Sequence, residues 1–94
     1  GVLIAVNKKK KTTGIITDGQ IRRLTQKSNN LKKLLVKNVM TRNPISIKKD
    51  ILAAQALSIM NSKKITCLCV HNEKNKNKTI GILNIHSILN SNIQ

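Results

Sequence analysis

The stretch GIITDGQIRR, residues 14–23, passes from a short apolar segment into a polar segment with helical spacing. Asp18 is a residue type that favours helix N-caps, and Ile21 and Leu24 then fall on one face of the predicted helix. The apolar residues 2–6 precede this stretch across a Lys-rich turn, which predicts an antiparallel hairpin. The stretch therefore predicts a β-β-α unit.

A second copy of this pattern occupies the C-terminal half of the chain. GILN at residues 81–84 corresponds to GIIT at residues 14–17. The earlier apolar segment, VLIAV at residues 2–6, is placed over TCLCV at residues 66–70. Repeats of this kind indicate units that pack together, because one unit cannot bury its sheet alone. We expect the two units to pack about a pseudo-twofold axis.

Two further elements precede the hairpin of the second copy. The sequence PISI at residues 44–47 predicts a short strand, and residues 51–61 show the clearest helical pattern, with Asp50 as the N-cap candidate. The inward face of that helix is predicted to hold Ala53, Ala56, Leu57 and Met60. The remaining predicted elements are strands over 66–71 and 79–84 and a helix over 85–92.

These elements predict an α/β (α+β) fold with small mixed sheets flanked by helices. We assign residues 1–30 to a partial first unit, 31–43 to a linker with a helical turn or two, and 44–94 to a complete second unit. Ser28-Asn29-Asn30 is predicted to end the first helix. Because the chain has no initiator Met and opens within a predicted strand, we expect it to be a fragment of a longer protein.

The formal charge of +15 would attract polyanions such as nucleic acid. However, 41 residues are Lys, Asn or Ile, whose codons are AT-rich, and no aromatic side chain is present for base stacking. We therefore expect genome composition rather than a nucleic-acid partner to explain the charge. No apolar run approaches the roughly 20 residues that span a bilayer, which favours a cytoplasmic protein without a membrane partner.

The residue types that usually carry chemistry are few and scattered. Cys67 and Cys69 lie on one face of a predicted strand without further metal ligands nearby, and we expect buried, reduced thiols. His71 and His86 lack accompanying carboxylates, and we expect surface or interface positions for both. No paired carboxylates, catalytic triad or phosphate-binding loop is apparent, so the chain itself is not expected to be catalytic.

The run of residues 14–23 resembles the T-D-G-x-x-R-R segment of D-arabinose 5-phosphate isomerases. VMTRNPI at residues 39–45, AAQAL at 53–57 and KKIT at 63–66 are similar to further segments of the same family. The tandem β-α-β-β-α pattern also resembles the CBS domain pair, the module named after cystathionine β-synthase. The resemblance runs over essentially the whole chain and implies that the first copy is truncated to β-β-α.

This resemblance implies a function for the longer protein. Such isomerases interconvert D-ribulose 5-phosphate and D-arabinose 5-phosphate, the first step toward the lipopolysaccharide sugar Kdo. An upstream sugar isomerase (SIS) domain carries the catalysis, and the CBS pair follows it as a regulatory part. The implied partners are that SIS domain and a second copy of the chain in a homodimer or higher oligomer. The implied ligand is AMP, CMP or CMP-Kdo, and no cofactor is required.

The resemblance places this ligand between the two copies. The implied contact residues are Thr17, Asp18, Gln20, Arg22, Thr41, Arg42, Pro44, Ser46, Lys64, Thr66, Asn84 and Ser87. Three of them depart from the family pattern. Gln20 and Ser87 stand where an acidic residue is usual, and Asn84 takes a hydroxyl position. Because an amide accepts through only one oxygen, these departures predict weakened or lost nucleotide binding.

Several of these residues also have a simpler interpretation. Thr17 could cap the helix beside Asp18 rather than bind a ribose, and Arg22, Arg42 and Lys64 could be solvated. Two alternatives for the whole chain therefore stay open beside nucleotide sensing. One is a dimerisation module without a ligand, and the other is a basic domain that binds polyanions.

Overall fold

The computed structural model describes residues 1–27 and 31–90. The chain divides into two compact units, Gly1–Pro44 (the N-terminal unit) and Ile45–Gln94 (the C-terminal unit). The predicted helix stop at residues 28–30 lies outside the described residues, and so do residues 91 and 92 of the predicted last helix.

The N-terminal unit is built on a three-stranded antiparallel sheet with the strand order β1-β2-β3. A 3-10 helix and a short α-helix fall in the segment predicted to contain a helical turn or two, so that prediction is confirmed. The two-residue strand β3 was not predicted. The elements are β1 (Val2–Val6), β2 (Thr12–Thr17), α1 (Asp18–Lys27), the 3-10 helix (Leu31–Lys33), α2 (Val36–Val39) and β3 (Thr41–Arg42).

The C-terminal unit contains a mixed sheet with the strand order β4-β5-β6, in which the first pair is parallel and the second antiparallel. The mixed α/β class with two small sheets is therefore confirmed. The elements are β4 (Ser46–Ile47), α3 (Ala53–Lys63), β5 (Cys67–His71), β6 (Thr79–Asn84) and α4 (Ile85–Asn90).

The two hairpins share one pairing register. Val2 pairs with Thr17 in the first hairpin, and Cys67 pairs with Asn84 in the second. In each hairpin the register shifts at a β-bulge. The shift lies between Ala5 and Val6 in the first hairpin and between Val70 and His71 in the second. The repeat predicted from the sequence is thus present in the backbone.

The register corrects the predicted correspondence between the two copies by one residue. The strand over residues 2–6 corresponds to residues 67–71, not to residues 66–70. The first turn holds residues 7–11 and the second holds residues 72–78, so the second is two residues longer. Because residues 67–70 are apolar, as residues 2–6 are, the sequence pattern fitted either alignment.

Each hairpin is joined to its helix by the same backbone hydrogen bond. The first helical amide, that of Asp18, donates to the Gly1 carbonyl at 3.0 Å. Its counterpart, the amide of Ile85, donates to the Thr66 carbonyl at 2.8 Å. The residue before each hairpin therefore fixes where the following helix begins.

The core of the C-terminal unit is aliphatic. The buried cluster consists of Ile47, Ala56, Met60 and Leu68. Ala56 and Met60 confirm the predicted inward face of α3, and Leu57 is partly buried. Ala53 is exposed because α3 begins there, with Leu52 at its N-cap. The predicted helix start at Ile51 and the predicted cap at Asp50 are therefore wrong. None of the described helices is long and apolar enough to cross a membrane.

Candidate ligand site at the strand-to-helix junctions

The N-terminal junction, where β2 passes into α1, is closed by a capping box. The Gln20 backbone amide donates to Thr17 Oγ1 at 3.3 Å, and the Thr17 amide donates to Gln20 Oε1 at 2.8 Å. The Thr17 hydroxyl also donates to Gln20 Oε1, at 3.3 Å. These bonds satisfy two amides that have no partner within the helix. Of the two roles considered for Thr17, the capping contact is present.

Gln20 also connects the junction to β3. Its Nε2 donates to Thr41 Oγ1 at 2.7 Å, so the side-chain amide bonds Thr17 through its oxygen and a strand residue 21 positions away through its nitrogen. The sheet allows this contact because β3 lies very close to β2. A Cβ on Gly14 would stand 2.6 Å from Met40 Sδ and 2.8 Å from the Thr41 carbonyl oxygen. Only glycine leaves room for β3 at this position.

Asp18 is the first residue of α1 and not its N-cap, so the predicted cap is one residue too late. Its Oδ1 accepts from the Gly19 amide at 2.9 Å, and its Oδ2 accepts from the Gly1 ammonium at 2.8 Å. With the chain beginning at Gly1, the hydrogen bond and the charge of this terminal ammonium, followed by the bond from the Gly19 amide, hold the pKa of the Asp18 carboxyl below its usual value. The carboxylate is exposed and therefore remains ionised near neutral pH.

Two predicted arginines of the N-terminal unit are exposed. Arg42 Nη2 donates to the Lys37 carbonyl at 3.1 Å, so its guanidinium partly serves to close the end of α2. Arg22 lies on α1, one turn after Asp18, and its carbonyl accepts from Thr25 Oγ1 at 2.7 Å. Both arginines are exposed to solvent, in agreement with the alternative that these side chains are solvated.

The C-terminal junction uses a different side chain for the same purpose. Asn84 Oδ1 accepts from the His86 backbone amide at 2.8 Å, which caps α4, and Asn84 Nδ2 donates to Cys67 Sγ at 3.3 Å. Ser87, the counterpart of Gln20, is exposed and has no side-chain hydrogen bond to the described residues. No capping box therefore forms at this junction.

The other predicted contact residues lie at several different places. Lys64 is the C-cap of α3, in the left-handed region with φ of 57°, and its amide donates to the Asn61 carbonyl at 3.4 Å. Thr66 is exposed just before β5, and its carbonyl accepts from the amide of Ile85, the residue after Asn84. Pro44 is partly buried at the end of the N-terminal unit. Ser46 is separate from these residues, since it lies in the wall of a cavity described next.

Sequence reasoning missed a cavity of about 590 Å³ within the C-terminal unit. Its lining residues are Ser46, Ile47, Lys48, Asp50, Ile51, Gln55, His71 and Lys76. His71 is only 6% exposed, so its predicted surface position is wrong. The available signal was strand alternation, because His71 follows Cys67 and Cys69 at spacings of two on one face of β5.

The two cysteines are buried and free, which confirms their prediction as reduced, buried thiols. Burial raises the pKa of the Cys69 thiol, which favours the protonated form. Within residues 1–27 and 31–90, no group of three or more His, Cys, Asp or Glu side chains is placed to hold a metal ion. The junctions instead offer hydroxyl, amide and carboxylate groups beside helix N-termini, which suit polar ligands.

The repeated hairpin-and-helix pattern agrees with the family comparison. The CBS domain family model matches residues 36–92, more than half of the chain. The chain therefore belongs to the CBS domain family. It is also 31% identical over 93 residues to the arabinose 5-phosphate isomerase KdsD of Pseudomonas aeruginosa, a match that covers 99% of this chain and 28% of that protein. The chain thus spans under a third of the length of this relative.

Solved structures show the same fold. The CBS domain pair of protein MJ0100, in complex with 5'-methylthioadenosine and S-adenosyl-L-methionine, is 24% identical with a TM-score of 0.78, over 94% of this chain and 66% of that one. The CBS domain protein PAE2072 from Pyrobaculum aerophilum, complexed with AMP, is 17% identical with a TM-score of 0.78, over 92% and 64% of the two chains. At these identities the likeness shows the fold alone.

Proposed function

We propose that this chain is the regulatory part of an arabinose 5-phosphate isomerase and that it senses a nucleotide or nucleotide sugar. The ligand is AMP, CMP or CMP-Kdo, and the chain itself is not catalytic. The observation that carries the proposal is the repeated junction, in which a polar side chain caps a helix after a hairpin of identical register. The similarity to the Pseudomonas aeruginosa isomerase supports the identity of the parent enzyme.

In this proposal the first unit supplies the second half of one CBS motif and the second unit supplies a complete motif. The exposed side chains at the junctions, among them Asp18, Thr41 and Thr66, remain available to a ligand. Thr17 and Gln20 hold the N-terminal junction in shape, because their polar groups bond each other and Thr41. Ligand binding would bias the orientation of attached SIS domains, which requires different affinities for two states.

Isothermal titration calorimetry with CMP-Kdo, CMP and AMP on the protein that contains the SIS domain tests the proposal. We expect heat from at least one ligand, with a Kd in the micromolar to millimolar range. Thr66→Ala, at an exposed position with no role in a helix cap, should weaken that binding by up to about tenfold, as the loss of one polar contact does. Gln26→Ala, on an exposed position of α1, is the matched control. No heat from any of the three at millimolar concentration would refute sensing.

A specific observation also favours self-association as a second function. Several large apolar side chains of the N-terminal unit are exposed, including Leu3, Val6 and Leu35. Exposed apolar side chains of this size favour contact with another protein surface. Sedimentation velocity over a range of concentrations checks this, since a homodimer or higher oligomer must appear as concentration rises. A monomer throughout would exclude it.

A further inference from the structure

The side-chain amide of Gln20 is largely occupied by partners within the N-terminal unit. Its oxygen accepts twice from Thr17, from the backbone amide at 2.8 Å and from the hydroxyl at 3.3 Å. Its nitrogen donates to Thr41 Oγ1 at 2.7 Å. Because an amide oxygen has two lone pairs and the nitrogen has two hydrogens, only one N–H of this side chain lacks a partner among the described residues.

The bond between Gln20 and Thr41 lies where a dissolved ligand can reach it. Thr41 is exposed, and Gln20 is partly buried. The buried apolar side chains of the N-terminal unit among the described residues are those of Ile15 and Ile16, and neither takes part in this bond. The bond can therefore open while those side chains stay buried.

Strand β3 keeps the Thr41 hydroxyl beside Gln20. Thr41 pairs with Ile15, and Arg42 pairs with Gly14. The close approach at Gly14 fixes this position, since a Cβ there would stand 2.8 Å from the Thr41 carbonyl oxygen. A partner within the same chain has a high effective concentration, so the Thr41 hydroxyl competes strongly with dissolved groups for the nitrogen of Gln20.

The equivalent position of the C-terminal junction has no such contact. Ser87, the counterpart of Gln20, is exposed and forms no side-chain hydrogen bond to the described residues. Asn84, the counterpart of Thr17, caps α4 with its own oxygen. A side chain from another strand therefore holds this position at the N-terminal junction but, within the described part of the chain, not at the C-terminal one.

Given the nucleotide sensing proposed above, we propose that Thr41 is autoinhibitory at the N-terminal junction. Its hydroxyl holds the Gln20 amide in a closed position, in which Thr17 uses both lone pairs of the amide oxygen. A nucleotide or nucleotide sugar bonds Gln20 only after the amide has left Thr41 and can turn toward the ligand. The ligand thus selects an open state, and its apparent affinity falls in proportion to the open fraction.

Variants at the two ends of this bond should change ligand binding in opposite directions. Thr41→Val removes the acceptor but keeps a β-branched side chain that suits a strand, so it should tighten binding of CMP-Kdo, CMP or AMP by about fivefold. Gln20→Ala removes the group that bonds the ligand and should weaken binding by about fivefold or more. Titration calorimetry on the protein that contains the SIS domain measures both effects.

Thr25→Val is the control, because it makes the same change at an exposed position of α1 and should alter the Kd by less than about twofold. If Thr41 is instead a contact of the ligand, Thr41→Val will weaken binding. That result, or an unchanged Kd, would overturn autoinhibition while leaving nucleotide sensing in place. No heat from either the original protein or Thr41→Val at millimolar ligand would refute sensing itself, and autoinhibition with it.

The side-chain NH2 signals of Gln20 test the closed position without any ligand. In NMR spectra of the 15N-labelled full chain, hydrogen exchange of this group should be about fivefold faster in Thr41→Val than in the original chain. Gln26, exposed on the same helix, provides an internal reference that should not change. A Gln20 NH2 group that already exchanges as fast as that of Gln26 in the original chain would show that the bond to Thr41 is absent in solution, and would overturn the proposal.

Discussion

In the N-terminal hairpin Leu3 pairs with Ile16, and in the C-terminal hairpin Leu68 pairs with Leu83 at the equivalent position. The backbones agree in register, yet the surroundings differ. Leu68 is fully buried in the aliphatic cluster, whereas Leu3 is 60% exposed. Pairing register therefore follows from the strand and turn pattern, while burial depends on which helices cover the sheet face.

The edges of the two sheets differ as well. β5 lies between β4 and β6, whereas β1 has a strand only on the side of β2. β3 extends the N-terminal sheet on the far side of β2, where the C-terminal sheet ends with β6. The hairpin is thus shared by the two copies, which allows matched substitutions at equivalent positions.

Truncation of the two leucines at equivalent positions, Leu3 and Leu68, should give the largest difference in stability between the two copies. Leu68→Ala is expected to lower the free energy of unfolding by about 3 kcal/mol, because it opens a cavity in the core. Leu3→Ala should cost less than about 1 kcal/mol, since an exposed side chain leaves no cavity. Urea unfolding followed by far-ultraviolet circular dichroism measures both, because the chain has no aromatic residue for fluorescence. Equal losses would mean that Leu3 is covered in solution.

The two glycines at equivalent positions, Gly14 and Gly81, should give the next largest difference in stability. Gly14→Ala places a Cβ 2.8 Å from the Thr41 carbonyl oxygen, a backbone atom that cannot move aside without displacing β3. We expect a loss of about 2 kcal/mol, typical of overpacking. Gly81→Ala meets only Val70 Cβ at 3.9 Å and should change the stability by less than about 0.5 kcal/mol.

Amide hydrogen exchange measured on the same glycine variants locates the damage. In Gly14→Ala, protection should fall at β3 and at the adjacent part of β2, while the C-terminal unit keeps its protection. Protection lost in both units would show that the substitution unfolds the chain globally. A fully stable Gly14→Ala variant would contradict the close approach of β3 to β2.

Much of this fold could be predicted from the sequence, because its signals are local. The hairpins, the helix after each one and the helical turns of the connecting segment follow from short apolar runs and polar turns. The helix starts were less accurate. Asp18 and Asp50 are good cap residues by type, but Thr17 takes the first cap and α3 begins later, at Ala53. A cap is chosen by backbone geometry, which residue type alone does not determine.

The candidate sites depended more on tertiary structure and were harder to predict. The resemblance implied that Thr17, Gln20 and Thr41 belong to one site, and hydrogen bonds join the three residues in the structure. It gave no reason to place Gln55 and His71 at one cavity, since they come from α3 and the end of β5. A cavity that joins distant elements leaves no spacing in the sequence.

The two polar residues at equivalent positions of the junctions, Gln20 and Ser87, should give the smallest difference in stability. Gln20→Ala removes both acceptor bonds of the capping box and the donor bond to Thr41. We expect a loss of about 1 kcal/mol, since Thr41 is exposed and Thr17 only partly buried, so their groups regain bonds to water. Ser87→Ala removes no side-chain bond to a described residue and should change the stability by less than about 0.5 kcal/mol. Thermal and urea unfolding of both variants measure these effects.

Gln26→Ala serves as the control for the Gln20 variant, because it makes the same change at an exposed position of the same helix. It should be neutral or slightly stabilising, since alanine favours helix more than glutamine. A loss at Ser87 as large as the loss at Gln20 would mean that the C-terminal junction also holds a side-chain network. The expected difference instead leaves Ser87 free to bond a ligand, while the amide of Gln20 is already used by the fold.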